Sequence, residues 1–153
     1  MHAATPMHLY DTSRGEVTAF APGETVTMYV CGITPYDATH LGHAATYVTY
    51  DVLQRRLIDR GHRVRYVRNI TDVDDDIIRA ARQRDVHYLD LAFGETVRFD
   101  DDMAALNTLP PWSEPRATGA IGNIRGLIDT LLTQGDAYLV DGAVYFDTGA
   151  ANG

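Results

Sequence analysis

The feature that most constrains this chain is a strand–helix–strand pattern that ends near Thr71. The run TVTMYVCGI is rich in β-branched and aromatic residues and predicts a buried strand over 25–33. A helix follows from about Ala44, and Gly61 is the residue expected just past its end. The run HRVRYVRNIT predicts a second strand. Two strands joined by a helix of about seventeen residues predict a parallel, right-handed βαβ unit, so the fold class is α/β.

The rest of the chain predicts three more helices and a hairpin. DVDDDIIRAARQR has acids in its first turn and arginines near its end, as the helix dipole favours. YLDLAFGETVRFDDDMAALNTL predicts a longer helix that ends before Pro110. The helix over 116–134 has the clearest amphipathic stripe, and its Ile and Leu side chains are predicted to be core. AYLVDGAVYFDT predicts a hairpin that turns at Asp141-Gly142.

Composition limits the class of protein. At 153 residues, with 45% hydrophobic and 22% charged residues, the chain suits one globular domain. No apolar run could span a bilayer, the N-terminus has no secretory signal, and Cys31 has no partner for a disulfide. We therefore expect a cytoplasmic protein with no membrane partner. The net charge of −8 argues against non-specific nucleic-acid binding, and the arginines of HRVRYVR are expected on a solvated strand edge.

The loop after the first strand contains two histidines three residues apart. In α/β proteins, nucleotides bind where such a loop enters a helix, because the helix N-terminus offers free N–H groups and partial positive charge. His40 and His43 lie at that point, and the small residues Gly42 and Ala44 allow close backbone approach. The chain has neither a Walker loop nor a GxGxxG motif. The pattern alone leaves two interpretations open: a nucleotide site, or two surface histidines near a helix start.

CGITPYDATHLGHAATYVTYDVL, followed by YVRNITDVDDDIIRAA, resembles the N-terminal catalytic half of the cysteine-specific class I ligases. The block 31–47 is similar to the mycothiol-pathway ligases that join cysteine to glucosaminyl-inositol. Cysteinyl-tRNA synthetases are the second relative, usually with Pro-Thr-Val after the Cys-Gly and a His-Ile-Gly-Asn signature. The resemblance implies a single partial domain, the first half of a Rossmann-like, HUP-type parallel-sheet domain. Its nucleotide-binding core would cover about 22–82, with a helical and hairpin insertion at about 86–148.

The resemblance also implies a set of site residues. His40 and His43 match the histidines of the HIGH signature, which binds ATP with Mg²⁺ and steadies the α-phosphate. Cys31 matches the first ligand of a zinc ion that holds the substrate cysteine by its thiolate. The positions that match the surroundings of the adenylate are Cys31, Gly32, Ile33, Thr34, Gly42, Thr46, Asn69, Ile70 and Thr71.

The implied function is ATP-dependent activation of L-cysteine as cysteinyl-adenylate, followed by transfer to the amine of glucosaminyl-inositol. Two alternatives stay open: transfer to tRNA, and a non-catalytic paralogue that binds a nucleotide or a partner protein. Family members are over twice this length, and their KMSKS loop and other zinc ligands match nothing in this sequence. We therefore expect this chain alone to hold no zinc and to be inactive. It would be a fragment, an inactive remnant, or one half that assembles with a separately encoded C-terminal half.

Overall fold

The computed structural model describes residues 6–150, which form three small sheets and four helices. In chain order the elements are β1 (Met7–Asp11), β2 (Glu16–Phe20), β3 (Thr25–Ile33), α1 (Leu41–Asp59), β4 (Arg63–Ile70), α2 (Asp75–Arg84), α3 (Tyr88–Ala105), α4 (Ala117–Gln134), β5 (Ala137–Val140) and β6 (Ala143–Phe146). Strands β3 and β4 are parallel and joined by α1, so the predicted α/β class and βαβ unit are confirmed. Among residues 6–150, no helix combines the length and the apolar character needed to cross a membrane.

Strand β4 makes main-chain contacts along both of its edges. It pairs with β3 along one edge, in a register that runs from Thr25 opposite Arg63. On its other edge, Ser113 and Arg116 form parallel bridges to β4, and the main-chain N–H of Arg68 donates to the Ser113 carbonyl. The carboxyl ends of β3 and β4 therefore lie side by side, where α/β proteins place their ligands.

The main core lies at this end of the sheet. Buried side chains from β3, β4, α1 and α3 form one cluster: Val30, Ile33, Tyr47, Tyr66, Ile70, Phe99 and Met103. A second cluster joins α2 to α3 through Ile77, Ala81, Leu91 and Ala92. Because α1 and α3 both pack at the carboxyl end of the sheet, the loop between β3 and α1 rests on a well-packed base.

One arginine of β4 contradicts the expectation of a solvated edge. Arg63 is exposed, but Arg68 is only 4% exposed. The Arg68 guanidinium pairs with Glu114 and, at 3.0 Å, with Asp100, and it lies 4.5 Å from the centre of the Phe99 ring. Burial is possible because the two acids compensate the charge and the aromatic ring covers the planar group.

The helix ends follow the sequence signals closely. Helix α1 begins at Leu41, three residues before the predicted start, and ends at Asp59. Gly61 lies just past the C-cap residue Arg60, as predicted, and has a φ of +89°. Helix α2 begins after Asp74, whose side chain accepts a hydrogen bond from the Asp76 N–H. The acids of DVDDD therefore cap and charge the start of a helix, as predicted.

The prediction that α4 packs into the core is wrong for the described part of the chain. No residue of α4 is buried, and Ile121, Ile124 and Leu127 are 45%, 46% and 60% exposed. The periodicity identified an apolar face, but the described residues cover only part of it, since Ile128, Leu131 and Leu132 are half-buried. The hairpin β5–β6 is confirmed, with Asp141 and Gly142 both at positive φ, as a type I′ turn requires.

An N-terminal hairpin, β1–β2, was not predicted. Its turn is organised by Asp11, whose Oδ1 accepts hydrogen bonds from the Ser13 N–H, the Ser13 hydroxyl and the Arg14 N–H. The hydrogen bond from the Ser13 side chain contributes most to a lowered pKa of the Asp11 carboxyl. Gly15 closes the turn at a φ of +68°.

Candidate functional site

The two signature histidines form the N-terminal cap of α1. His40 is the N-cap residue, and its Nδ1 accepts a hydrogen bond from the Gly42 N–H at 3.1 Å. In return, the His40 N–H donates to Nδ1 of His43 at 3.4 Å, which completes a capping box. The rings stack with centroids 4.0 Å apart. A Cβ at position 42 would lie 2.8 Å from the His40 ring, so glycine keeps this arrangement open.

These hydrogen bonds fix where each neutral histidine carries its proton. In both rings Nδ1 accepts from a main-chain N–H, so the proton of the neutral ring lies on Nε2. Desolvation lowers the pKa of His43, and the neighbouring His40 lowers it further. His43 is therefore held neutral more readily than a free histidine. Each Nε2–H remains available as a donor at a helix N-terminus, an arrangement suited to an anion such as a phosphate.

A cavity of about 340 Å³ opens beside the histidines. Its lining comes from the end of β3, the loop 34–40 and the start of α1: Gly32, Ile33, Thr34, Tyr36, Asp37, Ala38, His40 and His43. Five of the predicted site residues thus share one cavity. Tyr36, Asp37 and Ala38 were not among the predicted site residues. The only sequence signal for them is that they belong to the same motif block.

The loop that lines the cavity is tied to the helices behind it. Asp37 forms an ion pair with Arg84 of α2 at 3.4 Å, and Arg84 also contacts Glu95 of α3 at 3.4 Å. Glu95 is buried and pairs with Arg98 at 3.0 Å. The pairing of Asp37 adds little free energy because it is exposed, but it links one wall of the cavity to α2 and α3.

The other predicted residues are placed around the cavity in different ways. Thr46 is exposed and donates its hydroxyl hydrogen bond to the Gly42 carbonyl, one turn earlier in α1. Ile70 is fully buried, so any contact with a ligand would come from its main chain. Asn69 Nδ2 donates to the Thr71 hydroxyl, and the Thr71 N–H donates to the Ile33 carbonyl. The end of β4 is therefore bonded to the end of β3.

Cys31 is exposed and directly precedes Gly32, which lines the cavity. Its carbonyl accepts a hydrogen bond from the Tyr47 hydroxyl at 3.0 Å, and burial is the main reason that the pKa of Tyr47 is raised to about 12. Burial also raises the pKa of Tyr29, and a hydrogen bond with the Cys31 side chain raises it further. Throughout residues 6–150, no group of three His, Cys, Asp or Glu side chains is arranged to hold a metal. The described residues alone do not fit a zinc site, and Cys31 stays a predicted first ligand.

Sequence comparisons identify the family of this chain. The family model of the class I (C) tRNA synthetase catalytic domain matches residues 18–153. The "L-cysteine:1D-myo-inositol 2-amino-2-deoxy-alpha-D-glucopyranoside ligase" of Mycobacterium ulcerans is 52% identical over 136 residues, which cover 89% of this chain and 33% of that protein. The protein of the same name from Corynebacterium kroppenstedtii is 49% identical over 142 residues, or 93% of this chain and 27% of that protein. The chain thus spans about a third of the length of these curated relatives.

Two solved structures with a similar fold are those of aminoacyl-tRNA synthetases. Mycobacterium tuberculosis methionyl-tRNA synthetase in complex with methionyl-adenylate aligns with a TM-score of 0.63 and 23% identity, over 80% of this chain and 29% of that one. The Agrobacterium radiobacter K84 agnB2 LeuRS, in a ternary complex with tRNA and LeuAMS, also gives a TM-score of 0.63, with 22% identity over 77% and 15% of the two chains. The predicted HUP-type Rossmann-like fold is confirmed.

Proposed function

This chain belongs to the family of class I tRNA synthetase catalytic domains, and we propose that it supplies the adenylate-forming half of a cysteine ligase. The acceptor that we propose is glucosaminyl-inositol, because the relatives that are 49% and 52% identical carry that ligase name. The observation that carries the adenylation step is the pair of stacked histidines, His40 and His43, with their Nε2 donors free at the start of α1. The remainder of the ligase would come from a longer chain or from a separate C-terminal half.

In the proposed reaction, a carboxylate oxygen of L-cysteine attacks the α-phosphorus of ATP, and the bond to pyrophosphate breaks. His40 and His43 donate Nε2–H hydrogen bonds to phosphate oxygens, and the N-terminus of α1 adds partial positive charge. ATP would enter as its Mg²⁺ complex. The amine of glucosaminyl-inositol then attacks the acyl carbon, and AMP leaves as the amide forms. The mechanism requires no covalent enzyme intermediate.

The proposed core, residues 22–82, is the part of the chain that forms the cavity and holds the adenylate. Gly32, Ile33 and Thr34 would border the aminoacyl group, since they line the cavity next to the histidines. Residues 86–148 would be the insertion, and we propose a cytoplasmic location, where ATP is available. Zinc at Cys31 would require further ligands from outside residues 6–150.

Binding of a non-hydrolysable cysteinyl-adenylate mimic tests the site directly. In amide NMR spectra, we expect shifts concentrated at residues 32–43. His40→Gln and His43→Gln should each weaken binding roughly tenfold, as expected for one hydrogen bond to a charged group. His62→Gln is the matched control, because His62 lies beyond the other end of α1. Shifts confined to another surface, or unchanged affinity in both variants, would contradict the proposal.

A second experiment separates the acceptors. The family model and the solved relatives favour tRNA as the alternative, because both carry the name of tRNA synthetases. A chain extended to the length of the curated relatives, supplied with ATP and labelled cysteine, should label glucosaminyl-inositol and leave tRNA unlabelled. Labelled tRNA would favour the synthetase. The 153-residue chain should show no cysteine-dependent ATP–pyrophosphate exchange. Binding of a nucleotide with neither product formed by the extended chain would favour a non-catalytic paralogue.

A further inference from the structure

The parallel pairing of β3 and β4 contains a bulge at the site. The strands pair in step until Val30 lies opposite Arg68, and pairing resumes with Ile33 opposite Ile70. Two residues of β3, Cys31 and Gly32, therefore face one residue of β4. Such bulges redirect side chains and are common beside active sites. Of the two bulged residues, Gly32 is proposed to border the aminoacyl group, and Cys31 is the predicted first zinc ligand.

The side chain of Asn69 closes this bulge. Its Oδ1 accepts two hydrogen bonds, from the Gly32 N–H at 2.8 Å and from the Tyr29 hydroxyl at 2.8 Å. Its Nδ2 donates to the Thr71 hydroxyl at 3.1 Å. Both acceptor positions of the amide oxygen are thus occupied by the protein. The two strands also approach each other closely here. A Cβ at position 32 would lie 1.4 Å from the main-chain carbonyl oxygen of Asn69.

Tyr29 is unusual for a strand residue because it is 62% exposed and yet anchored at its hydroxyl. It lies two positions before Cys31, so both side chains lie on one face of β3. Packing of the core does not require this ring, since most of it is in solvent. Its defined contacts all lead to the bulge.

We propose that Tyr29 is a positioning residue that acts through Asn69. Its hydroxyl orients the Asn69 amide, and the amide holds the bulge that presents Cys31 and Gly32 to the cysteinyl group. The identity of that ligand rests on the proposed function. Different residues then position the two ends of the ligand. The cap of α1 binds the phosphates, and the Tyr29–Asn69 pair orients the residues that contact the cysteinyl end.

The test is Tyr29→Phe in the 153-residue chain, since this change removes only the hydroxyl. We expect hydrogen exchange of the Gly32 amide to become roughly three- to tenfold faster, the range for loss of one hydrogen bond. The rate of Cys31 alkylation by iodoacetamide should change as well, and it is easily measured because Cys31 is the only cysteine. Affinity for the cysteinyl-adenylate mimic should fall roughly three- to tenfold, while affinity for ATP changes less than about twofold.

Two controls make the result specific. Tyr10→Phe removes the hydroxyl of a tyrosine that is 64% exposed on β1, and it should change none of these readouts. Asn69→Asp keeps the accepting oxygen and should retain Gly32 protection, whereas Asn69→Ala should lose it. Unchanged Gly32 exchange in both Tyr29→Phe and Asn69→Ala would overturn the positioning role. If Tyr29→Phe weakened the binding of ATP and of the mimic equally, the proposal that Tyr29 acts only at the cysteinyl end would be overturned.

Failure of the proposed function gives a different result. If the unmodified chain binds neither the mimic nor ATP, the adenylate assignment is contradicted. The exchange of Gly32 and the alkylation of Cys31 need no ligand, so they still decide whether Tyr29 controls the bulge.

Discussion

The unit β3–α1–β4 supplies most of the buried side chains of the main core, whereas in the unit α4–β5–β6 most of the apolar side chains are exposed. Leu57 of α1 is 1% exposed, and Leu127 of α4 is 60% exposed. The first unit is joined by hydrogen bonds between distant residues, such as those of Asn69. The contacts of the second are more local, as between Asp136 and Asp147. Equivalent substitutions should therefore have very different effects in the two units.

The largest contrast is expected between two glycine-to-alanine substitutions. Gly32→Ala places a methyl group 1.4 Å from a main-chain oxygen, so the strands must separate. We expect it to lower the free energy of unfolding by about 3 kcal/mol or more, beyond ordinary overpacking of a core. At Gly122, in α4, the new Cβ meets nothing within 4 Å. Gly122→Ala should stabilise the protein by about 0.5–1 kcal/mol through helix propensity.

Urea denaturation of both variants measures this difference. An unchanged free energy of unfolding for Gly32→Ala would contradict the contrast. It would mean that β3 and β4 do not approach each other closely at Gly32. A strongly destabilising Gly122→Ala would also contradict the contrast, because that result requires a partner packed against α4.

A pair of leucine substitutions tests burial itself. Leu57→Ala removes a buried side chain and should cost about 3 kcal/mol, from lost transfer free energy and the cavity left behind. Leu127→Ala should change the free energy of unfolding by less than about 0.5 kcal/mol, because its side chain is largely in solvent. Chemical denaturation of the isolated chain measures both. A cost above about 2 kcal/mol for Leu127→Ala would show that its face of α4 is covered in solution.

An intermediate effect is expected at Asp72, which connects the two units. This residue is 3% exposed, and its carboxylate accepts from the Thr118 N–H at 2.9 Å and from the Thr118 hydroxyl. The N-cap residue of α4, Arg116, makes no side-chain capping hydrogen bond. Asp72, which lies outside the helix, therefore caps its N-terminus instead. Asp72→Ala should cost about 1–2 kcal/mol and speed amide exchange in the first turn of α4.

Asp72→Asn is the matched variant, since it keeps one accepting oxygen and should lose less stability. If Asp72→Ala changed exchange in α1 as much as in α4, the residue would support the sheet rather than the junction between the units.

The contrast between the units also separates what could be predicted from what could not. Local signals were sufficient for the βαβ unit, the capping acids of α2, the position of Gly61 just past the end of α1 and the turn at Asp141-Gly142. The burial of Arg68 could not be predicted, because its partners Asp100 and Glu114 lie 32 and 46 residues away. The stripe of α4 shows a related limit: periodicity identifies an apolar face, but not what covers it.

The candidate site divides in the same way. His40 and His43 were predicted from a motif, and the structure brings them together with Gly32, Ile33 and Thr34. Their reciprocal capping bonds could not be predicted, since histidine is not a common capping residue. The link from Tyr29 to Asn69 crosses 40 residues of sequence and leaves no local pattern.

The smallest expected effect is a pH effect at His43. Desolvation lowers its pKa from 6.5, and His40 lowers it further, so between the folded-state pKa and 6.5 the unfolded chain binds more protons at this residue. The contribution of His43 therefore makes stability rise with pH across that window and fall on acidification. In an NMR titration, its midpoint should lie below 6.5. His40→Gln should move that midpoint upward, because it removes a like charge and a stacked ring.

The same titration shows whether the cap of α1 behaves as a unit. Protonation of His43 at Nδ1 would break the hydrogen bond from the His40 N–H, so the amide signal of His40 should shift with the same midpoint as the His43 ring. His62→Gln should leave that midpoint unchanged. A His43 midpoint at or above 6.5, or one that ignores His40→Gln, would mean that the two rings do not stack in solution. That result would leave the difference in packing between the two units unaffected. It would contradict the inference that hydrogen bonds at Nδ1 keep the protons of His40 and His43 on Nε2.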